Sequence, residues 1–156
     1  MAQNPYSMVF GRSPSQLISR RTQADQITET FNADDPAQRV FMITGVRGSG
    51  KTVFMTETVR HFAKESRWIT VELNPDRDLL TGLAARLSSE NYLAKLFQTA
   101  RINLSFFGFG LEVGGSVPIT DIETALEKMF ESIKKEGKRV LIAIDEVTSK
   151  IGRAHV

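Results

Sequence analysis

RVFMITGVRGSGKT, residues 39–52, is the stretch on which the fold turns. A short apolar run rich in strand formers, 39–44, leads straight into an octapeptide that satisfies G-x-x-x-x-G-K-[ST] at every fixed position. Glycines let consecutive backbone N–H groups turn inward and cradle phosphate oxygens. The loop comprises Gly45, Val46, Arg47, Gly48, Ser49, Gly50, Lys51 and Thr52. Lys51 is read as the mobile charge that reaches the β- and γ-phosphates, and the Thr52 hydroxyl as a Mg²⁺ ligand. A helix expected from Thr52 to Lys64, with Val53, Val59 and Phe62 inward, adds the positive end of its dipole. Arg47 reads first as a solvated loop arginine; a contact to nucleotide or partner is the alternative.

A second stretch, VLIAIDE (140–146), delivers two adjacent carboxylates at the end of an apolar run. A buried strand would carry them to the carboxyl edge of the sheet, where ligands bind in open α/β folds. Asp145 is the candidate Mg²⁺ holder and Glu146 the candidate base for an attacking water. Taken alone, an acidic strand end is more often a cap for the next element. Its pairing with the glycine-rich loop favours the functional reading.

Between these motifs, helical and strand periods alternate. Ala24, Ile27 and Phe31 space a helix over 20–31, and WITVEL (68–73) reads as a strand ended by Asn-Pro-Asp. Leu79, Leu83 and Leu87 mark one helix, and Leu93, Leu96 and Phe97 another. INLSFFGFGLEVGGS (102–116) alternates apolar residues with a phase change beside Gly108, which predicts a β-hairpin with a bulge. Thr120 and Glu123 are spaced as a capping box for an amphipathic helix on Ile122, Ala125, Leu126, Met129, Phe130 and Ile133, closed by Gly137. RVLIAIDE (139–146) is the third strand. The alternation predicts an α/β domain with a mostly parallel sheet.

Bulk composition excludes more than it identifies. The 156 residues contain no cysteine, which rules out disulfides and thiolate metal sites. No stretch approaches the roughly 20 apolar residues of a membrane helix, so the expectation is a cytoplasmic protein without a membrane partner. Lys and Arg number 20 against 18 Asp and Glu, a surplus too small to argue for nucleic acid. His61 reads as a surface residue.

GVRGSGKT together with VLIAIDE resembles the AAA-type P-loop ATPases, whose second motif ends in Asp-Glu. The leading segment FGRSPSQLISRRTQADQITETF is similar to that of origin-recognition-like and STAND-like ATPases. The resemblance covers about residues 5–149 and implies ATP and Mg²⁺ as ligands and hydrolysis that drives a conformational switch. It also implies a three-layer P-loop fold with strand order 5-1-4-3-2, so that WITVEL (68–73) neighbours VLIAID (140–145) and a fourth strand separates the latter from RVFMIT (39–44). Adenine would lie near Arg20 or Arg21. Fourth and fifth strands, an arginine finger and a helical lid are not in the chain, and the 102–116 hairpin reads as an insertion. A nucleic-acid partner enters only through this resemblance.

The last residues, SKIGRAHV, have no cap, strand or helix pattern. Back-translation as ATC-GGA-AGA-GCA-CAC-GTC gives Ile-Gly-Arg-Ala-His-Val and matches the start of a common sequencing adapter. The expectation is therefore a split into 1–149, the N-terminal part of an ATPase domain, and 150–156, a translated adapter; a natural polar end is the alternative. Without Lys150 and Arg153 the charges balance at 18 each. A domain lacking its central fourth strand should hold Asp145 poorly relative to Thr52, and this piece should be inactive. Two functions follow: an ATP-hydrolysing switch, or a nucleotide-dependent interaction module with slow or no turnover. In the second, a protein partner or another copy would meet Phe106, Phe107 and Phe109. A small-molecule kinase is disfavoured by the Asp-Glu pair.

Overall fold

The computed structural model describes residues 21–111 and 113–146. The chain divides into two compact units, 1–49 and 50–156. Arg20 and the predicted adapter residues 150–156 lie outside the described residues.

In the first unit, α1 (Arg21–Asn32) buries Ile27. The Phe31 ring meets Phe41 edge-on at 5.1 Å. Residues 39–44 are not a strand. Burial still alternates, with Phe41 and Ile43 partly covered and Val40 and Met42 each 76% exposed. The sequence specified an extended segment, but a strand also needs a neighbour to take its N–H and C=O groups. Among the described residues this segment belongs to no sheet.

The second unit runs α2 (Lys51–Ala63), β1 (Trp68–Leu73), α3 (Leu79–Ser89), α4 (Asn91–Thr99), α5 (Ile122–Lys135) and β2 (Arg139–Ile144). β1 and β2 pair in parallel, Trp68 opposite Arg139 through Leu73 opposite Ile144. The predicted neighbours are thus paired, and the fold is mixed helix and strand around a small parallel sheet. Arg139 N–H donates to Arg67 O at 2.9 Å, which fixes the ladder phase. Residues 69, 71 and 73 of β1 therefore turn their backbone groups toward β2, and 70 and 72 turn theirs away.

Successive strand residues point to opposite faces, and both faces of β1 are used. Trp68 packs its ring against Phe62 of α2 at 4.9 Å. On the other face Val71 joins Leu83, Leu87, Phe97, Met129 and Ile133 in one buried cluster drawn from α3, α4 and α5. α5 follows its predicted stripe, but its cap lies one residue later than the box proposed. Asp121 Oδ2 accepts from the Thr124 N–H at 3.1 Å and from the Thr124 hydroxyl at 2.6 Å. The hydroxyl first, and then the N–H, hold the Asp121 carboxyl below its ordinary range. Gly137, at φ 71°, lets the chain leave α5 toward β2.

Two packing expectations are corrected. Val53 is 44% exposed, and Phe54 turns inward with Val59 and Phe62 instead. The predicted hairpin at 102–116 is a self-closed loop containing a 3₁₀ turn, Ser105–Phe107. Asn103, 3% exposed, is its hub. The Asn103 Nδ2 donates to Ser116 O at 2.9 Å, and its Oδ1 accepts from Ser105 N–H at 3.0 Å. One backbone bond, Leu104 N–H to Leu111 O at 2.9 Å, is what remains of a ladder. The apolar alternation is real but serves burial: Leu104 and Leu111 enter the core, while Phe106 stays 62% exposed.

Candidate nucleotide site

Of the glycine-rich loop, Val46–Ser49 belongs to the first unit. There Ser49 N–H donates to Val46 O at 3.1 Å and Gly48 takes φ 81°. Gly50 opens the second unit as the N-cap of α2, at φ 83°. A Cβ built on Gly50 would meet nothing within 4 Å, so glycine is needed there for conformation rather than room. α2 begins with no side-chain cap and no acidic residue in its first turn. A lysine at the positive end of a helix is locally unfavourable by a few tenths of a kcal/mol, an effect that a bound anion reverses. Lys51 is half-buried, and Thr52 and Arg47 are exposed.

β2 brings Asp145 to this helix end. Thr52 Oγ1 donates to Asp145 Oδ2 at 2.9 Å across 93 residues of sequence. The expectation that Asp145 would be poorly placed relative to Thr52 is thus corrected. The β1–β2 ladder and the packing of α2 on both strands hold the two together without a further strand. The other carboxylate oxygen, Oδ1, accepts from the Glu146 N–H at 2.9 Å. Glu146 itself sits at φ 55°, an uncommon conformation for a residue with a side chain. Such backbones cluster at functional sites, where surrounding contacts must hold them in place.

A hydroxyl and a carboxylate at this separation suit Mg²⁺, which keeps several waters and takes its remaining ligands from phosphate oxygens. Among the described residues no cluster of three His, Asp or Glu side chains forms a metal cage. Beside Asp145 and Glu146 opens a cleft of about 380 Å³, also lined by Glu72, Asn74, Asp76 and Arg86. The sequence reading missed these four. Glu72 was visible as the charged residue of WITVEL, but nothing in the periodicity placed Arg86 of α3 at the strand ends.

Parallel strands joined through helices define an α/β fold, and polar side chains gather where its strands end, the place at which open α/β sheets bind ligands. A family of ATPase domains predominantly from Archaea matches residues 18–155, and the chain belongs to that family. No curated protein and no solved structure matches it. Among the described residues no helix is long and apolar enough to cross a membrane.

Proposed function

We propose that the chain binds ATP with Mg²⁺ through Gly45–Thr52 and that hydrolysis drives a conformational switch or remodelling activity in a P-loop fold of the origin-recognition-like or STAND-like type. The observation that supports this reading is the 2.9 Å bond from Thr52 to Asp145, one residue from each motif. Lys51 binds the β- and γ-phosphates; Thr52 and Asp145 are the residues that would hold the metal. When bound, Mg²⁺ would neutralise charge on the phosphate oxygens. Glu146 orients the attacking water and accepts its proton, a role that its exposed place beside Asp145 supports.

The test is ATP binding and turnover by the full chain, with and without Mg²⁺. Glu146→Gln is expected to keep affinity within about twofold and to lower turnover by about 10²-fold or more. Turnover at the wild-type rate would remove Glu146 from the reaction. A second reading, a nucleotide-dependent interaction module, draws support from the exposed Phe106 on a loop fixed by Asn103. Mg²⁺-dependent ATP binding with no turnover in either protein would favour it.

A further inference from the structure

We propose that the edge of β1 turned away from β2, with which no described strand pairs, is a docking site for an extended, positively charged segment of another polypeptide, which adds to the sheet as a third strand. The ladder phase set by the Arg139-to-Arg67 bond leaves Thr70 and Glu72 with their N–H and C=O groups directed away from β2. Those groups open into a narrow cleft of about 80 Å³, formed along residues 69–72 and walled by Arg86, Ser89 and Glu90 of the α3 end. This cleft shares Glu72 and Arg86 with the larger one at the strand ends, where Asp145 and Glu146 lie. The two clefts therefore adjoin at Glu72 and Arg86, and together they are called the furrow below.

A strand edge offers hydrogen bonds to any extended chain, so charge must choose the occupant. Glu72, Glu90, Asp145 and Glu146 line the furrow, and Arg86 is the one cation among its lining residues. An acidic strand entering here would meet like charge on both walls. A segment carrying Lys or Arg at alternate positions would place those side chains on the α3 face, against Glu90, while its backbone bonds to Thr70 and Glu72. The inference does not rest on the nucleotide reading, because every residue it uses for pairing lies on β1 or at the end of α3.

The experiment uses the full chain without nucleotide and two labelled peptides of equal length, one alternating Lys with Val and Thr, the other with Glu in place of Lys. The Lys peptide is expected to bind saturably and to slow amide exchange at Thr70 and Glu72. Its affinity should fall about tenfold when salt is raised from about 0.05 to 0.5 M. The Glu peptide is expected not to bind. Thr70→Pro removes an outward N–H while sparing the β1–β2 ladder, as proline at a strand edge allows, and should weaken the Lys peptide about tenfold. Glu90→Lys, on exposed α3 surface, supplies a second variant should Thr70→Pro unfold, with a loss of about threefold or more expected. The proposal is overturned by no binding of the Lys peptide, by equal binding of both peptides, or by binding that leaves the Thr70 and Glu72 amides unprotected. Self-association of the chain through β1 would also overturn it, because the occupant would then be a second copy.

Discussion

Two glycine-rich loops of this protein differ in where their bonds go. The 102–116 loop turns inward on Asn103, whose amide holds Ser105 and Ser116, and it places Leu104 and Leu111 in the core. The 45–52 loop contributes no side-chain cap to the helix it opens and leaves Val46 and Thr52 exposed. Both use glycines at positive φ, Gly108 and Gly110 in the first and Gly48 and Gly50 in the second. Glycine content therefore does not distinguish a structural loop from a candidate binding loop. What sets the 102–116 loop apart is the buried Asn103 amide that ties its two ends together.

The comparison can be broken most decisively at Lys51. Lys51→Ala is expected to weaken ATP by about 10²-fold or more, while the thermal midpoint without nucleotide stays within a few degrees. A variant that instead unfolds would make the 45–52 loop structural as well. Asn103→Ala should do the opposite: about 1–3 kcal/mol of stability lost in urea unfolding, because buried backbone groups lose their partner, with the phosphate loop unaffected. If Asn103→Ala costs nothing, the inner loop is not held by its hub. Gly50→Ala tests the shared backbone feature and should cost about 1–2 kcal/mol from left-handed strain alone, since its surroundings are open.

The smallest effect concerns pH. Asp121 has a lowered pKa in the folded chain, so its cap on α5 contributes fully above the ordinary aspartate value and is lost as pH falls through the lowered one. Amide exchange at Thr124, corrected for intrinsic rate, should accelerate across that acid window. Asp121→Asn should remove the dependence.

What the sequence could show tracks how local the cause was. α5 was legible because its stripe of Ala125, Leu126, Met129 and Ile133 is a period within one element, and β1 and β2 because each is a compact apolar run. The inward choice of Phe54 over Val53 was not, since the two differ by a rotation that only packing against the sheet decides. Residues 39–44 carried strand composition, yet pairing belongs to the neighbour as much as to the segment. The hairpin reading failed because alternation in 104–113 records burial around Asn103 rather than a ladder. At the candidate site, residue identities were readable from two motifs, but the meeting of Thr52 and Asp145 was not, and Arg86 and Glu72 gave no signal that they share a cleft.

The bond between Thr52 and Asp145 also bears on how the chain folds. It closes a loop of 93 residues, and β2 pairs with β1 in parallel across the whole α3–α5 excursion. Contacts of such sequence separation carry their loop-closure entropy before they return any bonding, and they form late. The site is thus among the last features of the second unit to exist. A ligand that needs both residues selects fully folded molecules, and its stabilisation grows with its concentration relative to Kd. In refolding, recovery of such binding should lag the helical signal, so that occupancy serves as a clock for the final step of assembly.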